Sequence, residues 1–195
     1  WLNEAVRLLE DGKGTISEID SICKKLFGIG MGPFALMNAT GIQVAYHSQV
    51  TLEAFGPLYK VAPSLKEQAL AGKPWETDVD LVPDVDSVKE SVIRDRMLGI
   101  VFFISSSIID ERVCSSTHLN RGAKIGLRWK LGPVELMKSL GESEVKRLVA
   151  MVADLYNVNS PSAIGELFWE IQTVLLQKND DIAVITMDQP ENMNA

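Results

Sequence analysis

Gly28, Gly30 and Gly32 alternate in the run Gly28-Ile29-Gly30-Met31-Gly32, the part of this chain best suited to approach a ligand with its backbone. Such a run cradles a pyrophosphate when it follows a strand and opens a helix, with an acidic residue about 20 positions on. Here a helical pattern precedes it and Pro33 follows it. That context fits a turn between two helices rather than a dinucleotide site. Gly12-Lys13-Gly14-Thr15 has the look of a phosphate loop but lacks the upstream glycine and strand. It reads as a helix stop followed by an N-cap. The two histidines, His47 and His118, have no carboxylate at a spacing that would orient a general base. Cys23 and Cys114 do not combine with them into metal-ligand spacing. The residues therefore nominate no catalytic group, no cofactor-binding group and no metal site. Lys60, Lys66 and Lys73 could meet a phosphate, but a solvated helix face explains them better.

The composition narrows the classes further. Of 195 residues, 46% are hydrophobic and 23% charged, with a net charge of −7. An acidic chain without a basic stripe argues against a nucleic-acid partner. The longest apolar run, Met97 to Ile109, is interrupted by Ser105-Ser106-Ser107 and is too short to span a membrane. Two cysteines and no secretory signature point to reduced thiols and a cytoplasmic location. The chain begins inside an amphipathic pattern at Trp1 and ends just past a strand signal, which reads as a fragment of a longer protein.

The elements that would position these residues are mostly helices. Apolar spacing predicts helices over 1–11, 15–26, 33–41, 42–58 and 64–71. Thr15-Ile16-Ser17-Glu18 has the form of a capping box, and Pro33 suits a first helical position. An acidic, proline-punctuated linker covers 73–86, and further helices are expected over 87–112, 116–126, 133–139 and 142–157. The tail changes to β pattern over 171–177 and 182–187, joined at 178–181 by a hairpin turn.

One observation organises all of this. Gly32-Pro33-Phe34-Ala35-Leu36-Met37 returns one hundred residues later as Gly132-Pro133-Val134-Glu135-Leu136-Met137. The match runs on without a gap: Thr15 meets Ser115, Asp20 meets Asn120, Lys24 meets Lys124 and Gly41 meets Gly141. An internal repeat at a fixed offset means two copies of one helical module. Each copy has about 70 residues, near the lower limit for a self-sufficient core, so the two would gain by packing together.

The pattern Asn3-Glu4-Ala5, then Glu18-Ile19-Asp20, then Met31-Gly32-Pro33-Phe34 resembles the C-terminal domain of 3-hydroxyacyl-CoA dehydrogenases. The second copy, from Gly126 to Met137, looks like a tandem version of the same domain, and 182–195 is similar to the opening of an enoyl-CoA hydratase (crotonase) domain. The resemblance implies a mainly α fold: two dehydrogenase C-terminal-type domains of the 6-phosphogluconate dehydrogenase C-terminal-like kind, plus a β-hairpin from a truncated crotonase domain. The expected limits are 1–72 and 87–158 for the helical domains, 73–86 and 159–167 for linkers, and 168–195 for the crotonase start.

It further implies the substrate-side and dimerisation-type region of an NAD-dependent (S)-3-hydroxyacyl-CoA dehydrogenase of fatty-acid β-oxidation, in a bifunctional dehydrogenase/enoyl-CoA hydratase. NAD and the catalytic His and Glu would belong to a separate N-terminal Rossmann domain, so this stretch alone is expected to be inactive. Its partners would be an acyl-CoA, that Rossmann domain, the crotonase domain and, within the chain, the second copy as a pseudo-dimer. Met31, Gly32, Pro33 and Phe34 are the implied substrate-side residues, although Phe34 has equally good core spacing. Ala35 departs from the family's usual Glu, and Val134 from its Phe. The competing reading is a non-catalytic helical scaffold joining two catalytic domains.

Overall fold

The computed structural model describes residues 1–78 and 83–190. Residues 79–82 of the 73–86 linker and residues 191–195 of the crotonase-like pattern lie outside the described residues. Nine α-helices and one two-stranded antiparallel sheet are present among those described. They fall into two compact units, Trp1–Phe103 with Arg147–Ser160, and Ile104–Lys146 with Pro161–Ala195. Repeat and compact unit are thus different divisions of the same chain.

The first unit starts with α1 (Leu2–Glu10), α2 (Ile16–Phe27), α3 (Pro33–Thr40), α4 (Ile42–Leu52) and α5 (Pro63–Ala71). α2 begins where the sequence places it. Thr15 accepts from the Glu18 N–H, and Glu18 returns to the Thr15 N–H at 2.7 Å. α4 is shorter than its apolar pattern suggests. The spacing runs on to 58, but Gly56 at φ 119° and Pro57 break the chain into two short 3-10 turns after Leu52. α1 fixes the loop that follows them. Asn3 donates to the Lys60 carbonyl at 3.0 Å and accepts from the Ala62 N–H at 2.9 Å, while Glu10 accepts from Ser64 N–H at 2.6 Å.

The core of this unit comprises Val6, Leu8, Ile19, Phe27, Phe34 and Leu65, with Ile93, Met97 and Phe102 from α6 (Ser87–Asp110). Leu148, Val149 and Val152 of α9 (Glu142–Tyr156) complete it. Burying each such side chain is worth about 1.5–3 kcal/mol before entropy is counted. α6 and α9 cross closely: a Cβ on Gly99 would stand 2.8 Å from Val152 and 3.0 Å from the Leu148 carbonyl.

The second unit holds the end of α6, α7 (Ser116–Gly126), α8 (Pro133–Leu140), the start of α9 and the segment from Pro161 onward. Ser115 caps α7 by accepting from the His118 N–H. The later segment is tied to α7 by Ser116 donating to the Phe168 carbonyl and Gln172 N–H donating to Thr117 Oγ1 at 2.8 Å. Trp169 is fully buried. Strands β1 (Val174–Asn179) and β2 (Ile182–Met187) pair from Val174↔Met187 to Asn179↔Ile182. The first strand starts three residues later than 171 and runs into the expected turn, which tightens to Asp180 and Asp181 with Asp180 at φ 52°. Both cysteines are free, Cys23 buried and Cys114 half-buried.

Positions one hundred apart share backbone conformation. Gly32 and Gly132 precede their helices at φ −71° and −73°. Gly28 has φ 63°, and its counterpart Arg128 takes φ 56°. A left-handed arginine is disfavoured by about 1–2 kcal/mol, so the turn shape in the second stretch is held in spite of the lost glycine.

Candidate functional site

The Gly28–Phe34 turn lies between α2 and α3, so a helix precedes it and no strand supplies the context of a dinucleotide fingerprint. Its four proposed substrate-side residues are placed differently. Met31 is 47% exposed, whereas Gly32, Pro33 and Phe34 are buried. Phe34 meets Trp75 edge-on with ring centroids 5.1 Å apart. Asn38, one turn further along α3, donates to the Trp75 carbonyl at 2.9 Å and accepts from its N–H at 2.8 Å. The start of the 73–86 segment is thereby clasped over Phe34, and only Met31 offers its side chain outward.

The turn rests on Asp20. Its carboxylate accepts from the Phe34 N–H at 2.8 Å and the Ala35 N–H at 3.0 Å. These are free donors at the start of α3, where a negative group is favoured. Gly32 comes so close that a Cβ there would lie 2.5 Å from the Asp20 Cα. A small, partly open hollow of about 60 Å³ sits beside the turn, bordered by Asp20, Ser21, Lys24, Met31 and Ala35.

The second stretch builds the same corner with different groups. Asn120 accepts from the Glu135 N–H at 3.2 Å. Glu135 itself accepts from the Gly132 N–H at 2.8 Å and pairs with Lys124 at 3.1 Å. Burial lifts the Glu135 carboxyl, but the Gly132 N–H, Asn120 and Lys124 outweigh it and leave it below the usual range.

Asp20 is perturbed the other way. Burial is the largest influence and raises its carboxyl, and the Phe34 and Ala35 N–H groups with Lys24 do not fully offset it. A raised acid contributes stability that is complete below its unfolded value, about 3.9, and is lost as pH rises through its folded value. Asp20→Asn does not titrate. Wild type is therefore expected to lose stability relative to that variant between acid and neutral pH, read from urea midpoints of both at several pH values. A difference that does not vary with pH would mean that the two N–H groups balance the burial.

His47 is exposed and lies against the Tyr46 ring, and His118 Nδ1 is 3.0 Å from Ser115 Oγ. Among the described residues no three potential ligands gather around a metal position, and no helix is long and apolar enough to cross a membrane.

Two features lay beyond sequence reasoning. One is the Trp75–Asn38 clasp, whose only signal is a tryptophan at the edge of a polar linker. The other is a buried charge cluster in the first unit. Tyr156 donates to both Glu4 oxygens at 2.6 and 2.7 Å, and Arg96 Nε donates to Glu4 Oε1. The Arg7 guanidinium lies 4.6 Å over the Tyr156 ring.

Residues 1–77 match the family model for the 3-hydroxyacyl-CoA dehydrogenase C-terminal domain. No curated protein and no solved structure matches the chain.

Proposed function

We propose, from the match of residues 1–77 to the 3-hydroxyacyl-CoA dehydrogenase C-terminal domain, that the chain forms the substrate side and dimerisation-type interface of an NAD-dependent (S)-3-hydroxyacyl-CoA dehydrogenase. The protein would act in the cytoplasm in fatty-acid β-oxidation, joined to an enoyl-CoA hydratase. The observation that carries the reading is the family match across the turn that exposes Met31.

The reaction converts a 3-hydroxyacyl-CoA to a 3-oxoacyl-CoA, with NAD as hydride acceptor on a separate Rossmann domain. The glycine run here does not fit that cofactor, since α2 precedes it. What the chain's own residues contribute is a wall. Met31 sets an adaptable thioether against the acyl part of the substrate, and Gly32, Pro33 and Phe34 hold it from behind. The second stretch takes the structural role. Its Glu135 fills the corner that stays hollow beside Ala35. Support for an intrachain pseudo-dimer comes from the Glu4–Arg96–Tyr156 cluster, which joins α1 of the first copy to α6 and α9 of the second. A helical scaffold alone is the alternative, and the burial of Phe34 would suit it.

Met31→Glu separates the two. The side chain is exposed, so folding should change by no more than about 0.5 kcal/mol. In the intact protein, a carboxylate set against the acyl group is expected to lower dehydrogenase kcat/KM about tenfold or more. The matched change Leu131→Glu should leave it unaltered, as should both variants the hydratase rate. Equal dehydrogenase kinetics for Met31→Glu and wild type would leave the scaffold.

A further inference from the structure

We infer that Asp20 is the positioning residue of the substrate turn: its carboxylate, supplied from α2, fixes where Met31 stands. The inference rests on the substrate reading of Met31 given above. At its first end the turn is held by the Gly28 and Ile29 N–H groups donating to the Lys24 carbonyl, and beyond Ile29 it is open. A Cβ on Gly30 would meet nothing within 4 Å, and Met31 is half exposed. Asp20 by contrast grips the chain just beyond the turn at two N–H groups, and Gly32 lies flat against its backbone.

The second stretch shows what the first one lacks. There the carboxylate comes from Glu135 within α8, reaches the Gly132 N–H and pairs with Lys124, and the residue that α7 supplies in place of Asp20 is the neutral Asn120. Each corner carries one capping carboxylate, but at different addresses. In the second it belongs to the helix that it caps. In the first it belongs to the neighbouring helix, so the turn is tied to α2. Ala35 leaves open the hollow beside Lys24 that a glutamate would enter. Burial of the Asp20 carboxylate is costly, so at this corner it serves placement more than overall stability.

The test uses Asp20→Asn and the double variant Asp20→Asn/Ala35→Glu, which rebuilds the second corner in the first. Asparagine keeps one acceptor and so loses one of the two N–H bonds. Amide exchange at Phe34 and Ala35 is expected to quicken about tenfold, the worth of a helix cap. In the intact protein KM for the hydroxyacyl-CoA should rise about tenfold while kcat stays within about twofold. The double variant should restore KM and slow exchange at Gly32, whose N–H the new glutamate would cap as Glu135 caps Gly132. Unchanged exchange at Phe34 and Ala35 in Asp20→Asn would overturn the positioning role. A double variant as loose as the single one would overturn the assignment to the carboxylate. Faster exchange with unaltered KM would instead overturn the substrate reading of Met31, so the two failures are told apart.

Discussion

Phe34→Ala is expected to destabilise the first unit by about 3–5 kcal/mol, the range for truncating a buried aromatic ring. The upper part of that range applies where the surroundings cannot collapse. Phe34 is completely buried, and its ring partner Trp75 is itself 95% covered, being 5% exposed. Trp75 cannot slide into the space freely, because Asn38 holds both its backbone N–H and its carbonyl. The pair adds about 0.5–1.5 kcal/mol beyond simple area burial. Urea unfolding followed by circular dichroism measures the shift in midpoint. Phe34→Leu should fall between wild type and the alanine variant. A loss below about 1 kcal/mol would mean that the 73–78 segment relaxes onto α3 and that the clasp is soft. The same experiment separates two roles. Phe34 has no exposed surface, so its effect on turnover should follow stability, whereas that of Met31 should not.

What could be read from the sequence was local. The Thr15–Glu18 box forms because both partners lie within one helical turn. Pro33 and Pro133 mark helix starts, since a first-turn residue needs no N–H partner. The hundred-residue repeat returns as matched backbone angles at Gly32 and Gly132. α4 ends before its apolar spacing does: the spacing persists past Leu52, while the stop at Gly56 and Pro57 sits outside it. The site was legible only as a turn. That Met31 faces outward and Phe34 inward depends on Asp20, 14 residues before Phe34, and on Asn38 meeting Trp75 37 residues later. Neither contact has a periodic signal. The Glu4–Tyr156 pair spans 152 residues and has none at all.

That pair sets the second large effect. Glu4→Ala is expected to cost about 3–5 kcal/mol, because it leaves a buried cation without its partner. The Glu4 side chain is 2% exposed and that of Arg96 11%. Burial alone would pull the Arg96 guanidinium down, but the Glu4 carboxylate and Tyr156 more than offset it and raise it further. Burial, with Glu4 beside it, raises the Tyr156 phenol, which keeps it as the neutral donor to that carboxylate. Removing Glu4 takes the acceptor from Tyr156 and the nearest anion from Arg96. Asp11, 2.9 Å from Arg96 Nη1 and 47% exposed, is a screened partner that recovers only part of this. Replacing both ends with apolar groups should behave differently. Glu4→Leu/Arg96→Met removes both charges of the central pair; Arg7, 3.4 Å from Glu4, keeps the Leu58 and Lys60 carbonyls, and Asp11 is 47% exposed. Such swaps are often neutral or stabilising. Urea midpoints for Glu4→Leu, Arg96→Met and the double variant give the coupling directly. A double variant less stable than either single one would mean that the cluster adds net stability and that its desolvation cost is small. A Glu4→Ala loss under about 1 kcal/mol would mean that water reaches Arg96 once the carboxylate is gone. The expected pattern, a costly single change relieved by the second, would make the cluster a device for register. It would fix α1 against α6 and α9 more than it would add to the stability of the unit.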